Sequence, residues 1–104
     1  MALVAQPVVG DIGTIIELTI KDQDLAVVDI SSASTLQILM KAPDGTVTTQ
    51  TGVLSGDGTD GKMRYVTQAG DWTMHGVWEI QGRAVITAGT FRTRVIRQIV
   101  EAAL

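Results

Sequence analysis

Three features of the sequence predict an all-β chain, folded as an antiparallel sandwich of about seven strands. Apolar and polar residues alternate with period two along short stretches, which puts one set of side chains on each face of a strand. Turn residues, chiefly Gly and Asp, separate those stretches at hairpin spacing. Between them there is no room for the crossover helices that a parallel sheet requires. A barrel is the alternative closure of the same strands.

Residues 1–12 read as an extended arm, bent at Pro7 and ending in Gly10-Asp11-Ile12-Gly13. The first strand is expected over 14–21, with Ile16, Leu18 and Ile20 on one face and Glu17, Thr19 and Lys21 on the other. Asp22-Gln23-Asp24 turns it into a short second strand over 25–30. The third, 35–41, points Leu36, Ile38 and Met40 inward. Ala42-Pro43-Asp44-Gly45 is a turn, because Pro presets φ and Gly accepts the positive φ that the next corner can need. Strand four returns over 46–51, and strand five spans 62–67 after a loop at 54–61. The sixth, 72–80, carries Trp72, Met74, Trp78 and Ile80 on one face. Gln81-Gly82-Arg83 reads as a tight turn into the seventh, 84–93, with Phe91 on one side and Arg92 on the other. Ile96, Ile99, Val100, Ala103 and Leu104 recur at spacings of three and four, which predicts a short helical tail over 97–104.

At 104 residues the chain is one domain with one core, burying about 65% of the surface its unfolded form exposes. Only four side chains are Phe, Trp or Tyr, so that core is built from Val, Ile, Leu, Met and Ala. The chain has no cysteine, which excludes disulfides and thiolate metal sites. No stretch approaches the roughly 20 apolar residues of a membrane helix, and the first residues lack the basic start of a signal peptide, so a soluble intracellular product is expected. Net charge is −3 but unevenly spread. Residues 1–61 hold two lysines against eight acids, whereas residues 62–104 hold six basic residues against three acids. Cross-strand pairing between the halves is the expected consequence.

No motif points to catalysis. Gly56-Asp57-Gly58-Thr59-Asp60-Gly61 spells a dinucleotide-binding turn, but that turn must open a helix, and the residues after Lys62 favour a strand. The same loop offers oxygens for calcium, yet Gln68 stands where a helix-loop-helix site needs its bidentate acid. His75 is the only histidine, which rules out histidine clusters, and no serine has a His and acid partner at a recognisable spacing. The chain is therefore read as a non-enzyme without cofactor, metal or small-molecule substrate. Arg83, Arg92, Arg94 and Arg97 form a basic edge, but the acidic chain has few aromatic residues to stack bases, which argues against a nucleic-acid partner.

Three pieces carry a family resemblance. They are Gly10-Asp11-Ile12-Gly13 leading into an alternating strand with Asp22 and Val28-Asp29-Ile30 behind it, then Leu36 to Gly45, then Gly76-Val77-Trp78-Glu79-Ile80-Gln81-Gly82 ahead of Gly89-Thr90-Phe91. Over about residues 10–96 the chain resembles the immunoglobulin-like amino-terminal domain of tailed-phage baseplate upper proteins and related small virion proteins. The resemblance implies an immunoglobulin-like sandwich over 13–96 and a structural role as adaptor or connector in a virion, made in the host cytoplasm and touching other virion proteins. Capsid decoration or a head fibre is an alternative place for it. A carbohydrate-binding sandwich using Trp72 and the 54–61 loop is an alternative function. The expected contacts, in repeated copies, are Pro7, Val8 and Val9 in the arm, Arg92, Arg94 and Arg97 along the basic edge, and Ile99, Val100 and Leu104 in the tail.

Overall fold

The computed structural model describes residues 6–104, which fold as two antiparallel β-sheets. Eight strands follow in chain order: β1 (Ile15–Thr19), β2 (Thr35–Lys41), β3 (Val47–Thr51), β4 (Val53–Leu54), β5 (Lys62–Val66), β6 (Gly76–Ile86), β7 (Gly89–Arg92) and β8 (Ile96–Val100). One sheet has the order β1-β5-β4. The other runs β3-β2-β6, with β7 and β8 both on the side of β6 away from β2. Among the described residues there is no helix.

Register converts the period-two pattern into a core. Leu18 faces Met63 and Ile16 faces Tyr65 in the first sheet, while Met40 faces Ile80 and Ile38 faces Gly82 in the second. These side chains meet between the layers, joined by Ile20, Ile30, Ala84, Trp72 and Trp78. The two indoles pack edge to face, with centroids 5.1 Å apart and planes at 86°, a favoured aromatic geometry. Each indole N–H has a partner: Trp72 donates to Thr14 Oγ1 and Trp78 to the Met74 carbonyl. Burying Trp78 and Ile80 at 2% and 1% exposure contributes about 1.5–3 kcal/mol or more apiece.

The sheets approach closely at Gly82. A Cβ there would lie 3.0 Å from Leu18 Cδ1 and 3.2 Å from Met63 Sδ, both from the opposite sheet. The sequence suggested a turn over 81–83; instead β6 runs unbroken for 11 residues, and Gly82 makes room for the facing layer. The turn comes later, at Thr87-Ala88, and splits the expected 84–93 strand into the end of β6 and β7. β7 and β8 are then two halves of one edge strand. Thr93 and Gly82 exchange bonds, the Thr93 amide to the Gly82 carbonyl and the Gly82 amide to Thr93 Oγ1, both at 2.9 Å. Ile80 already faces Ile96. Gln81 therefore opposes two residues, Arg94 and Val95, which is a β-bulge.

Other expectations are corrected. The tail is not helical: Ile96–Val100 is strand β8, paired with β6 from Gly76 to Ile80. An eight-residue helix is marginal on its own, whereas the long β6 offers a ladder on which Ile96, Gln98 and Val100 share the inward face. Residues 25–30 form no strand, only a bridge from Val27 to Lys21. Asp22 Oδ1 takes the amides of Asp24 and Ala26 and closes a local turn instead. Trp72 and Met74 precede β6 in a loop, although Trp72 is buried as expected. The short β4 follows Gly52 directly and was not anticipated. Residues 1–5 of the expected arm lie outside the described residues.

Candidate functional site

The sandwich is open along one side, where the edge of β1 stands apart from the edge formed by β7 and β8. A groove of about 850 Å³ runs between them. Leu18, Lys21 and Leu25 line one wall, and Phe91, Arg94 and Ile96 line the other. Leu25 is 62% exposed and has φ of 63°, the one positive φ outside glycine among the described residues. The left-handed region costs a side chain such as leucine about 1–2 kcal/mol. The turn built on Asp22 holds it there, with the Leu25 amide donating to the Asp22 carbonyl at 3.0 Å.

The β7–β8 edge presents backbone as well as side chains. Thr93 bonds toward β6, and antiparallel ladders alternate, so the amides and carbonyls of Thr90 and Arg92 point away from β6. At the other end Glu101 also points away, donating to the Pro7 carbonyl at 2.8 Å and accepting from the Val9 amide at 2.9 Å. The same alternation turns Arg97 and Ile99 outward. The arm pairs in parallel with the end of β8 through Val8 and Glu101. Pro7 stops this pairing, because it has no N–H to offer the Ile99 carbonyl. That carbonyl accepts from Gln98 Nε2 at 3.0 Å instead.

These bonds separate the expected contact residues. Pro7 is buried, and Val8 and Val9 are half-buried against the chain's own sandwich. Val100 is a core residue at 2% exposure, so in the described protein it is not a contact surface. Arg92, Arg94, Arg97, Ile99 and Leu104 are exposed. Arg92 lies directly across from Arg83, whose Nη1 donates to Gln37 Oε1 at 2.8 Å. Two guanidinium groups facing each other across strands repel. Nearby, Glu79 stands between Lys41 and Arg97 in one cross-strand row, and in the other sheet Glu17 faces Arg64. The sequence signal missed Phe91 and Ile96 as groove residues and gave no sign of the bulge.

The loop at 54–61 is fastened. Asp57 Oδ1 accepts from the Thr59 hydroxyl at 2.7 Å and the Thr59 amide at 3.0 Å. A Cβ on Gly61, at φ of 72°, would meet the Ile20 carbonyl at 2.8 Å, so the loop packs tightly on neighbouring backbone. Strand β5 follows it, and among the described residues no three His, Cys, Asp or Glu side chains gather as metal ligands would. Hydrogen bonds to Ser31, Thr46 and Thr59 hold the carboxyls of Asp29, Asp44 and Asp57 below their ordinary range.

Asp71 is the acid that accepts most bonds among the described residues. It accepts from the Tyr65 hydroxyl and the Gln68 amide, each at 2.6 Å, and from Gln50 Nε2 at 3.0 Å, tying β5 in one sheet to β3 in the other. Burial first, then the bond to Asp71, pushes the Tyr65 phenol up to about 12. A smaller cavity of about 230 Å³ opens beside this clasp, against Gln50, Met74 and Trp78. A phenol held protonated and an acid saturated with donors suit a structural tie better than proton transfer. Trp72 is 1% exposed, so its ring cannot stack on a sugar at the surface.

Comparison with known protein families, with curated proteins and with solved structures returns no match to this chain.

Proposed function

We propose that the chain is a non-enzymatic structural protein of a tailed-phage particle, an immunoglobulin-like adaptor or connector of the tail or baseplate that docks on other virion proteins in repeated copies. The observation that carries the reading is the open β7–β8 rim, an edge with outward backbone groups, an Arg92 set across from Arg83, and exposed Ile96 and Ile99. An open edge of this kind is a ready template for another chain. With Pro7 and Val9 already bonded to Glu101, the rim rather than the arm carries the contact. Capsid decoration or a head fibre would use the same rim at another place on the particle.

The test is immunogold electron microscopy of particles from cells that make the protein. Regular labelling at one position on the virion, tail or head, supports the reading. Particles bare of label while the protein stays in the soluble lysate would reject it.

A further inference from the structure

We infer that the β7–β8 edge and the groove beside it receive an extended polypeptide segment from a partner protein, one alternating acidic and apolar residues, added as a further strand. The inference rests on the assembly role proposed above and names the chemistry of the partner.

Three observations carry it. The first is backbone: Thr90, Arg92 and Arg97 direct their amides and carbonyls outward, and the parallel bridge between Val8 and Glu101 shows that this edge accepts a strand, as far as Pro7 allows. The second is charge: Arg92 and Arg97 stand on the outer face of the edge, and Arg83 repels Arg92 from directly across. An acid on the incoming strand beside Arg92 relieves that repulsion. The third is Leu25, an exposed leucine kept in a strained backbone conformation at the groove mouth. Strain of this kind is retained where the surrounding structure over-determines it, commonly at binding sites.

These fix the pattern of the segment. Side chains alternate along a strand, so residues facing outward meet Arg92 and Arg97, while those between them point into the groove toward Leu25, Phe91 and Ile96. The outward residues are acidic and the inward ones apolar. The bulge at Arg94 and Val95 removes one step, which places the residues opposite Arg92 and Arg97 four apart on the partner.

The test titrates a capped heptapeptide alternating glutamate and valine into the intact protein, read by amide chemical shifts. Saturable shifts at residues 90–99 are expected, and no binding, or shifts centred on β3, would overturn the inference. The same peptide N-methylated on alternate amides is then used in both phases. One phase, the one facing the edge, should weaken binding about tenfold or more, as loss of hydrogen bonds to an edge requires. Equal loss in both phases, or in neither, would reduce the interaction to charge and reject strand addition. A glutamate–serine peptide binding as well as the glutamate–valine one would reject the groove. Leu25→Asn keeps the left-handed turn, which asparagine tolerates. It should leave the domain equally or more stable while weakening the peptide several-fold, and unchanged binding would remove Leu25 from the site. A failed titration leaves particle labelling free to succeed, so the segment and the virion role are judged separately.

Discussion

Replacing Gly82 by valine tests the close approach of the two sheets. The new Cβ alone would lie 3.0 Å from Leu18 Cδ1, 3.1 Å from Thr93 Cγ2 and 3.2 Å from Met63 Sδ, and valine adds two methyls beyond it. Overpacking of this kind costs about 1–3 kcal/mol. For a domain of this size that lowers the melting temperature by roughly 5–20 °C. Urea unfolding followed by the fluorescence of Trp72 and Trp78 measures the loss. Leu18→Ala alone should cost about 2–5 kcal/mol by opening a cavity. Combined with Gly82→Val, the valine fills part of that cavity, and the double variant should be more stable than the sum of the two losses by about 1 kcal/mol or more. Losses that add to within about 0.5 kcal/mol would mean that β6 and β1 do not face each other there, and the two-layer packing would be wrong.

Val100→Ala should cost about 1–3 kcal/mol, because the side chain is buried in the core; a change near zero by the same unfolding assay would contradict strand β8. Tyr65 is the only tyrosine, so its absorbance titration should have a midpoint near 12 in the folded protein rather than the ordinary 10.0. The folded state holds this proton more tightly, so the stabilisation is complete below pH 10 and lost as pH rises toward 12. Asp71→Ala should return the titration toward the ordinary value and destabilise the domain by about 1–3 kcal/mol, since the Tyr65 hydroxyl and Gln50 amide lose their acceptor. For Asp29, Asp44 and Asp57 the sign is opposite. Their lowered folded values favour the native state above the ordinary carboxylate value of 3.8, and that support disappears as pH falls below it. Acid unfolding with those three aspartates replaced by asparagine should show a flatter dependence on pH, and an unchanged dependence would disprove the assignment.

Strands with a strict alternation were legible in the residues. Thr35–Lys41 was bounded correctly, and Ile15–Thr19, Val47–Thr51 and Lys62–Val66 fell within a residue or two of expectation. Burial of Trp78 was legible for the same reason, whereas Trp72 is buried from a loop, outside the alternation that pointed to it. Gly82 misled because glycine marks a turn and a close approach equally well, and only the facing Leu18 and Met63 tell them apart. The tail misled because five apolar residues fit a helical spacing by coincidence, while the long free side of β6 that recruits them cannot be seen locally. Residues 25–30 had strand composition, yet the Asp22 carboxylate takes the Ala26 amide and its carbonyl the Leu25 amide, closing a turn where the strand would begin. The basic character of Arg92, Arg94 and Arg97 was plain from sequence. The grouping of Arg92 and Arg94 with Leu25, over 60 residues away, depends on two sheet edges meeting across a groove, a long-range outcome of topology.

Amide hydrogen exchange on the domain alone and on the assembled particle tests the rim most directly. In the isolated domain Phe91, Gln98 and Val100, bonded toward β6, should exchange slowly, while Thr90, Arg92 and Arg97 exchange fast. In the particle the second set should become protected to the level of the first. Fast exchange at Thr90, Arg92 and Arg97 in both states would contradict docking through this edge.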